Sequence, residues 1–286
     1  MNDPDVAVLL IQCPDRPGIV AAISTFLFRH GANITDLDQH STDDVPGVYF
    51  MRLALQTSRL DLSLDELRVA FAREVAAPFR MQWRLAPANA RRSLAILVSR
   101  HDHAMMELLW AWRRGDLAAD VRLVVSNHPD LEAAVAGFGV PFRVVPNARE
   151  RRALAEREIL ELLGDVDLVV LARYMQIVSA GFVDRFPNRI INIHHSFLPA
   201  FAGADPYRQA WERGVKIVGA TAHYVTAELD AGPIIEQDVG RVSHRHAVED
   251  LRRIGRDLER RVLARAVKWH CEDRVIVHGN KTVVFE

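Results

Sequence analysis

The chain has 286 residues, which is enough for one large domain or for two domains of ordinary size. Hydrophobic residues make up 49% of the chain and charged residues 26%, a globular composition that argues against intrinsic disorder. The 36 basic and 37 acidic residues leave a formal net charge of -1, which argues against a broad basic surface for nucleic acid.

Membrane association and disulfide bonding are not expected. Every apolar stretch is far shorter than the ~20 residues of a membrane-spanning helix. The N-terminus carries Asp3 and Asp5 where a signal peptide would carry positive charge, so we expect a soluble, cytoplasmic protein. Cys13 and Cys271 are too few for a disulfide framework or, by themselves, for a structural zinc site.

The first 86 residues alternate between strand and helix patterns. Apolar runs of strand length are bounded by turn residues such as Pro14, Pro17 and Gly18, and Gly31 is placed to end the first helix. The order βαββαβ predicts a two-layer, ferredoxin-like domain over residues 1–86. We expect its strands at 5–12, 33–41, 47–56 and 81–86 and its helices at 18–30 and 63–76.

Residues 87–92 lack apolar periodicity and are predicted to link this domain to a second one over residues 87–286. Short runs of branched aliphatic residues then alternate with helical segments, which predicts an α/β fold with a mostly parallel, Rossmann-like sheet. We expect strands at 94–99, 121–127, 142–146, 166–172 and 190–195 and helices at 104–114, 130–137, 149–163 and 178–185. Ligands of such sheets bind beyond the carboxyl ends of the strands.

The pattern becomes more antiparallel from about residue 219. Two strands, 219–225 and 233–242, are joined by a turn that contains Asp230 and Gly232. A long helix is predicted at about 246–269, and a hairpin around Gly279 and Asn280 closes the chain.

The candidate chemistry lies at the end of one strand and in the later turn. Asn192 and His194 are two residues apart, so both side chains leave the same face of the strand, and His195 points the other way. Asp230 is an acid in a tight turn. An amide, an imidazole and a carboxylate can stabilise an oxyanion and orient a nucleophile during acyl-group chemistry. On spacing alone, ordinary loop-ordering and turn roles for these residues are favoured over catalytic ones.

Three segments, 192–199, 219–225 and 229–235, resemble the folate-dependent formyltransferase family. The resemblance implies that Asn192, His194 and Asp230 are catalytic, with the amide and imidazole on the formyl oxygen and the carboxylate activating the nucleophile. It also implies that the segment 171–177 wraps the pterin of a folate. The implied substrate-binding residues are Arg173, Tyr174, Met175, Gln176, Ile177, Ser196, Leu198, Thr221 and His223. For His223 a simple packing role is equally open.

The segments 255–270 and 279–285 narrow the resemblance to the formyltetrahydrofolate deformylases. That branch implies hydrolysis of 10-formyltetrahydrofolate to formate and tetrahydrofolate in one-carbon metabolism and purine biosynthesis. The folate is then the substrate, with no retained cofactor and no metal. A carboxylate is a weak base unless its environment raises its pKa, so we expect partial burial to raise the pKa of Asp230.

The N-terminal domain resembles ACT domains at 14–20 and 31–34. This implies an amino-acid effector such as glycine or methionine, with Asp15, Arg16, Gly18 and Asn33 as its ligands. The turn before the first helix offers free backbone amides, which suit a carboxylate. A domain that only assembles subunits is the alternative, and in both cases we expect a homo-oligomer.

The acceptor of the formyl group is predicted from a phosphate-binding loop that this sequence lacks. Related glycinamide ribonucleotide transformylases hold a substrate phosphate with a glycine- and serine-rich loop after the first strand, but residues 99–103 read Ser-Arg-His-Asp-His, with Asp102 placed as a helix cap. Water is therefore the expected nucleophile. The alternatives are formyl transfer to an amine, a non-catalytic amino-acid sensor that binds folate, and a metal-dependent amidohydrolase using His194, His195 and His223.

One departure from the family pattern follows the motif at 192–201. Residues 202–205 read Ala-Gly-Ala-Asp, so a usual lysine is absent and Asp205 adds an acid. We expect Ala202 and Asp205 to weaken the positive potential near the catalytic loop.

Overall fold

The computed structural model describes residues 5–200 and 205–286, and its contacts divide the chain into two units. The first unit contains residues up to 90 together with 272–276 and 283–286. The second contains residues 91–271 together with 277–282. No helix in the described ranges is both long and apolar enough to cross a membrane.

The first unit is a four-stranded antiparallel sheet with helices from the predicted βαββαβ order. Its elements are β1 (Val6–Pro14), α1 (Ile19–Arg29), β2 (Asn33–Ser41), β3 (Val48–Gln56), α2 (Leu64–Phe71), a π-helical turn (Ala72–Ala76), α3 (Ala77–Phe79) and β4 (Gln82–Pro87). The strand order is β2-β3-β1-β4. Gly31 follows α1 at φ 74°, where a Cβ would collide with the carbonyl oxygen of Arg59, so only glycine fits. Ser63 and Glu66 form the capping box that begins α2.

The second unit has a seven-stranded sheet. Its elements are β5 (Arg92–Val98), α4 (His103–Arg114), β6 (Ala119–Ser126), α5 (Glu132–Ala136), β7 (Phe142–Val144), a 3-10 turn (Arg149–Arg151), α6 (Arg152–Leu163), β8 (Leu168–Leu171), α7 (Ala180–Arg185), β9 (Ile190–His194), α8 (Pro206–Glu212), β10 (Ile217–Tyr224), β11 (Ile234–Arg241) and α9 (Val248–Cys271). The hairpin strands β12 (Val275–His278) and β13 (Lys281–Val284) follow at the predicted place.

The topology of this sheet places a crevice at its carboxyl edge. The strand order is β11-β10-β9-β8-β5-β6-β7. The five strands from β9 to β7 pair in parallel, and β10 pairs antiparallel with both β9 and β11. The chain leaves β5 to one side for β6 and returns to its other side for β8. Such a reversal opens a binding crevice beyond the strand ends. The predicted fold class, an ACT-like domain followed by a mostly parallel α/β domain, is confirmed.

Two local details differ from the sequence-based expectations. Helix α8 lies in a stretch for which no helix was predicted, and it buries Pro206, Tyr207 and Ala210. Asp102 precedes α4 as expected, but its side chain makes no capping hydrogen bond. Its φ of -87° and ψ of -25° are helical, whereas a capping side chain needs an extended backbone at that position.

Candidate active site

The candidate site lies where β5, β8 and β9 end. The chain turns sharply after β8 at Arg173, which has a φ of 64°. Ser99, just after β5, ties this turn in place: its N–H donates to the carbonyl of Arg173 at 3.2 Å, and its hydroxyl accepts from the N–H of Met175 at 3.0 Å. The segment after β8 is therefore held along the crevice rather than projecting into solvent.

Asn192 lies opposite His223 in the antiparallel register of β9 and β10. Nδ1 of His223 lies 2.9 Å from the carbonyl oxygen of Tyr224, which can only accept, so Nδ1 carries the proton. Burial lowers the pKa of His223, which keeps the ring neutral. Its Nε2 then accepts from Nδ2 of Asn192 at 3.2 Å. One N–H of Asn192 is thereby fixed, and the amide plane is oriented.

A tight loop between β10 and β11 brings Asp230 to the same place. The N–H of Tyr224 donates to the carbonyl of Pro233 at 2.9 Å, which closes the loop. A Cβ on Gly232 would overlap the carbonyl oxygen of Tyr224, so the loop can approach the strand this closely only with glycine there. Asp230 itself has a φ of 54°, which turns its side chain back toward β9.

His194 and Asp230 form a hydrogen-bonded pair. Nδ1 of His194 lies 3.3 Å from Oδ2 of Asp230, whose side chain is 23% exposed. Nε2 of His194 is buried and has no hydrogen-bond partner among the described residues. The hydrogen bond from His194 outweighs burial and lowers the pKa of Asp230. The expected rise in that pKa was wrong, because the nearby histidine, and not burial, dominates.

A cavity of about 280 Å³ surrounds this pair. It is lined by Asn192, His194, His223 and Asp230 together with every residue of the predicted pterin segment from Arg173 to Ile177. Met175, Ile177 and Leu229 also line it, although each of these apolar side chains is more than half exposed. Exposed apolar groups around a few polar ones are typical of a small-molecule site. The structure thus brings the three predicted catalytic residues together in one cavity.

Three predicted substrate-binding residues do not line this cavity. The hydroxyl of Thr221 donates to the carbonyl of Ser196 at 2.9 Å and accepts from the N–H of Leu198 at 3.1 Å. The hydroxyl of Ser196 donates to the carbonyl of Ala200 at 2.9 Å. All three side chains are buried and hold the loop after β9, and their contact with the substrate stays a prediction.

A second buried polar cluster was not predicted. Glu259 of α9, 1% exposed, accepts from the Tyr207 hydroxyl at 2.8 Å and lies 2.7 Å from Nε2 of His103. Nε of Arg173 lies 3.5 Å from the same carboxylate. Burial alone would raise the pKa of Glu259, but the hydrogen bond from His103 and the charge of Arg173 hold it below its usual range. These residues are far apart in the sequence, so no local spacing signals the cluster.

His195 was predicted to point away from Asn192 and His194, yet it also lines the cavity around them. It comes after the last residue of β9, where strand alternation no longer fixes the direction of a side chain. The rings of His194 and His195 lie 5.4 Å apart. No group of three or more histidine, cysteine or acidic residues arranged to hold a metal ion occurs in the described part of the chain.

Of the departure from the family pattern at 202–205, the structure describes only Asp205. Ala202 lies outside the described residues. Asp205 forms ion pairs with Arg252 at 3.1 Å and with Arg208 at 3.2 Å, so its charge is compensated locally.

The four predicted effector ligands do not meet within one chain. Asp15, Arg16 and Gly18 lie at the end of β1 that faces Val48, and Arg16 donates to the carbonyl of Pro78 at 2.5 Å. Asn33 lies opposite Gln56, at the other end of β3. The eight residue-to-residue steps from Val48 to Gln56 span about 26 Å in a strand. Helix α1 runs the length of the sheet between these two places, which separates Asn33 from the other three.

Comparison with known proteins identifies the family of this chain. The chain matches the family model described as formyl transferase over residues 92–267 and the model described as ACT domain over residues 7–72. It is 56% identical over 282 residues to the formyltetrahydrofolate deformylase of Mycobacterium bovis, covering 98% of this chain and 91% of the relative.

Solved structures give the same result. A crystal structure of a formyltetrahydrofolate deformylase from Pseudomonas syringae pv. tomato has a TM-score of 0.95 at 47% identity and covers 98% of this chain and 94% of that one. A crystal structure of glycinamide ribonucleotide transformylase 1 from Symbiobacterium toebii has a TM-score of 0.65 at 36% identity. It covers 69% of this chain and 95% of that one.

Proposed function

The chain belongs to the formyltetrahydrofolate deformylase family, and on that premise we propose that it hydrolyses 10-formyltetrahydrofolate to formate and tetrahydrofolate. The observation that carries this proposal is the hydrogen-bonded pair of His194 and Asp230. Nε2 of His194 is left unpartnered in the described structure, in a cavity that Asn192 also lines.

The folate is proposed to bind along the segment from Arg173 to Ile177. Met175, Ile177 and Leu229 offer apolar contact area on the cavity wall, and the flat pterin would cover it. Covering these side chains removes their apolar surface from water. The folate is the substrate in this proposal and not a retained cofactor.

Asn192 and His194 are proposed to hold the formyl oxygen. His223 fixes one N–H of the Asn192 amide, and the second N–H is available for the substrate. In this proposal His194 donates from both ring nitrogens: its Nε2–H donates to the formyl oxygen, and its Nδ1–H donates to the carboxylate of Asp230. Two preoriented donors stabilise the negative charge that develops on this oxygen as the tetrahedral intermediate forms.

Asp230 is proposed to position the attacking water. Its lowered pKa makes it a weak base before reaction, so it accepts a proton only as the water oxygen bonds to the formyl carbon and becomes acidic. That proton is then passed to the folate nitrogen as the carbon–nitrogen bond breaks. The second proton of the water leaves when the formic acid ionises to formate.

Formate release from 10-formyltetrahydrofolate by the purified chain tests this function. We expect one formate per folate consumed, with no added acceptor. Release that requires an added amine, with the formyl group recovered on that amine, supports the transferase alternative. Folate binding with no turnover supports the non-catalytic sensor.

The ACT domain is proposed to bind an amino-acid effector, glycine or methionine, in a homo-oligomer. Gly18 has a φ of 94° and open space beside its Cα, so a ligand carboxylate can approach the backbone of the turn from Asp15 to Gly18. Asn33 can contribute to such a site only from a second copy, because it lies at the far end of the sheet.

Two measurements test the effector proposal. Sedimentation should show an oligomer, and glycine or methionine should change formate release. Gly18→Val should remove that response, because a side chain blocks the approach to the turn. An oligomer that responds to neither amino acid would leave the domain with an assembly role alone.

A further inference from the structure

A second cavity of about 410 Å³ meets the candidate active site. Arg173 and His195 line both cavities, so these two side chains form the wall between them. The ring of His195 lies 5.4 Å from that of His194 on one side and 6.0 Å from that of Tyr207 on the other. The second cavity therefore begins within one side chain of the proposed catalytic histidine.

The walls of this second cavity are positively charged. Three guanidinium groups and two carboxylates line it, so the net charge is positive even with neutral histidines. Arg252 is paired with Asp205, while Arg256 lies on an exposed position of α9. Helix α4 begins at His103, another lining residue, and its N-terminus has no side-chain cap from Asp102. A helix N-terminus favours an anion over a cation.

Arg173 supplies the second and independent sign of a ligand. Its side chain is 10% exposed, and neither Nε nor Nη1 has a hydrogen-bond partner among the described residues. Glu259 lies 3.5 Å from Nε, within ion-pair range but without a hydrogen bond. Buried donors left unpaired are costly, and native proteins seldom retain them without a partner. An acceptor atom in the cavity would satisfy them.

We propose that this cavity is a binding site for a small monocarboxylate, and that its ligand is the formate released by the proposed hydrolysis. The inference rests on the proposed function for the source of the formate. A pterin bound in the first cavity would cover the opening of that cavity to solvent. Among the described residues, only the side chains of Arg173 and His195 separate the first cavity from the second, so the second cavity is the nearest space for the released formate.

The charge balance favours one negative charge over two. The buried carboxylate of Glu259 sits beside the guanidinium of Arg173, so it repels a dianion such as phosphate more than it repels formate. Burial and the charge of Arg173 lower the pKa of His195 to about 4, so that ring is neutral near pH 7 and adds no charge. A site held by so few charges releases its ligand readily, as product exit requires.

Titration of the full-length chain with ¹³C-formate, without folate, tests the site by NMR line broadening. We expect one saturable site per chain. Arg256→Gln should weaken formate binding about tenfold, which is the size of one charge-assisted hydrogen bond. Arg260→Gln is the matched control, because Arg260 is one turn further along α9, pairs with Asp257 and does not line the cavity. It should bind formate as the wild type does.

Three outcomes would overturn the site: no saturable formate binding, equal affinity in the wild type and both variants, or tighter binding of inorganic phosphate than of formate. The failure of the two proposals can be told apart. Formate binding with no hydrolysis of 10-formyltetrahydrofolate contradicts the proposed function alone. Hydrolysis with no formate binding contradicts the second site alone.

Discussion

His194 with Asp230 and His103 with Glu259 are two histidine–carboxylate pairs in the same unit. In the first, the atoms lie 3.3 Å apart, the acid is partly exposed, and Nε2 of His194 has no hydrogen-bond partner among the described residues. In the second, the distance is 2.7 Å, and the acid is fully buried and also accepts from Tyr207.

The comparison shows that two properties distinguish a structural histidine–carboxylate pair from a catalytic one: the burial of the acid and the number of hydrogen bonds that it already accepts. Glu259 is surrounded by donors, so removing its charge leaves those donors unpaired inside the protein. Asp230 sits at the edge of a cavity, where a substrate or water can reach its free oxygen. We therefore expect changes at the first pair to alter turnover and changes at the second pair to alter stability.

The largest expected effect is on turnover at the first pair. His194→Ala should lower kcat about 10³-fold or more, because it removes both a hydrogen bond to the formyl oxygen and the partner of Asp230. The thermal midpoint should stay close to that of the wild type. His246→Ala is the control, since the ring of His246 is hydrogen-bonded to Ser243 and does not line the cavity. Turnover that persists in His194→Ala would contradict the proposed role.

The second pair should show its effect in the free energy of unfolding. Glu259→Gln should cost about 3 kcal/mol near neutral pH, because it leaves Arg173 and His103 without a buried counter-charge. Glu249→Gln, on an exposed position of the same helix, is the control and should cost almost nothing.

The pH dependence of that cost follows from the lowered pKa of Glu259. The folded protein binds this proton more weakly than the unfolded chain, so the ionised side chain stabilises the fold above the usual pKa of glutamate, about 4.3. The stabilisation is lost as the pH falls through the lower folded value. Denaturant unfolding of wild type and Glu259→Gln should therefore differ at pH 7 and converge in acid. A difference that grows in acid would show the opposite sign.

A smaller effect is expected at Asn192. Asn192→Ala should lower kcat about 10²-fold with little change in KM, because the lost hydrogen bond acts mainly on the developing oxyanion. Steady-state formate release separates the two constants. A rise in KM at constant kcat would place Asn192 in ground-state binding instead.

The smallest effect distinguishes support from substrate contact. Thr221→Val should cost about 1–2 kcal/mol of unfolding free energy, because the N–H of Leu198 loses its partner in a buried place. Its kcat/KM should remain near that of the wild type. A large increase in KM with unchanged stability would instead show that Thr221 contacts the substrate.

Local patterns predict most of the fold. Apolar strands such as β8, with turn residues on either side, and the glycine at the end of α1 are encoded within a few neighbouring residues. The proximity of Asn192, His194 and Asp230 was implied by family motifs and not by spacing. Helix α8 was not predicted, because its seven residues make only two turns, too few for an apolar helical period to be recognised.

The features that were not predicted depend on contacts between residues that are far apart in the sequence. Glu259 meets His103 and Tyr207 from positions 156 and 52 residues away, and no local pattern records such a meeting. Motif membership likewise failed to separate Thr221, which supports the loop, from His223, which lines the cavity. The direction of the pKa shift at Asp230 depended on the distance to His194, which only the folded chain defines.

The identity of the acceptor tests the account most directly. Turnover of 10-formyltetrahydrofolate in H₂¹⁸O, with mass analysis of the product, should give formate with one ¹⁸O per molecule after a single turnover. Formate without the label, or a formyl group recovered on an added amine in place of formate, would contradict hydrolysis by water at His194 and Asp230.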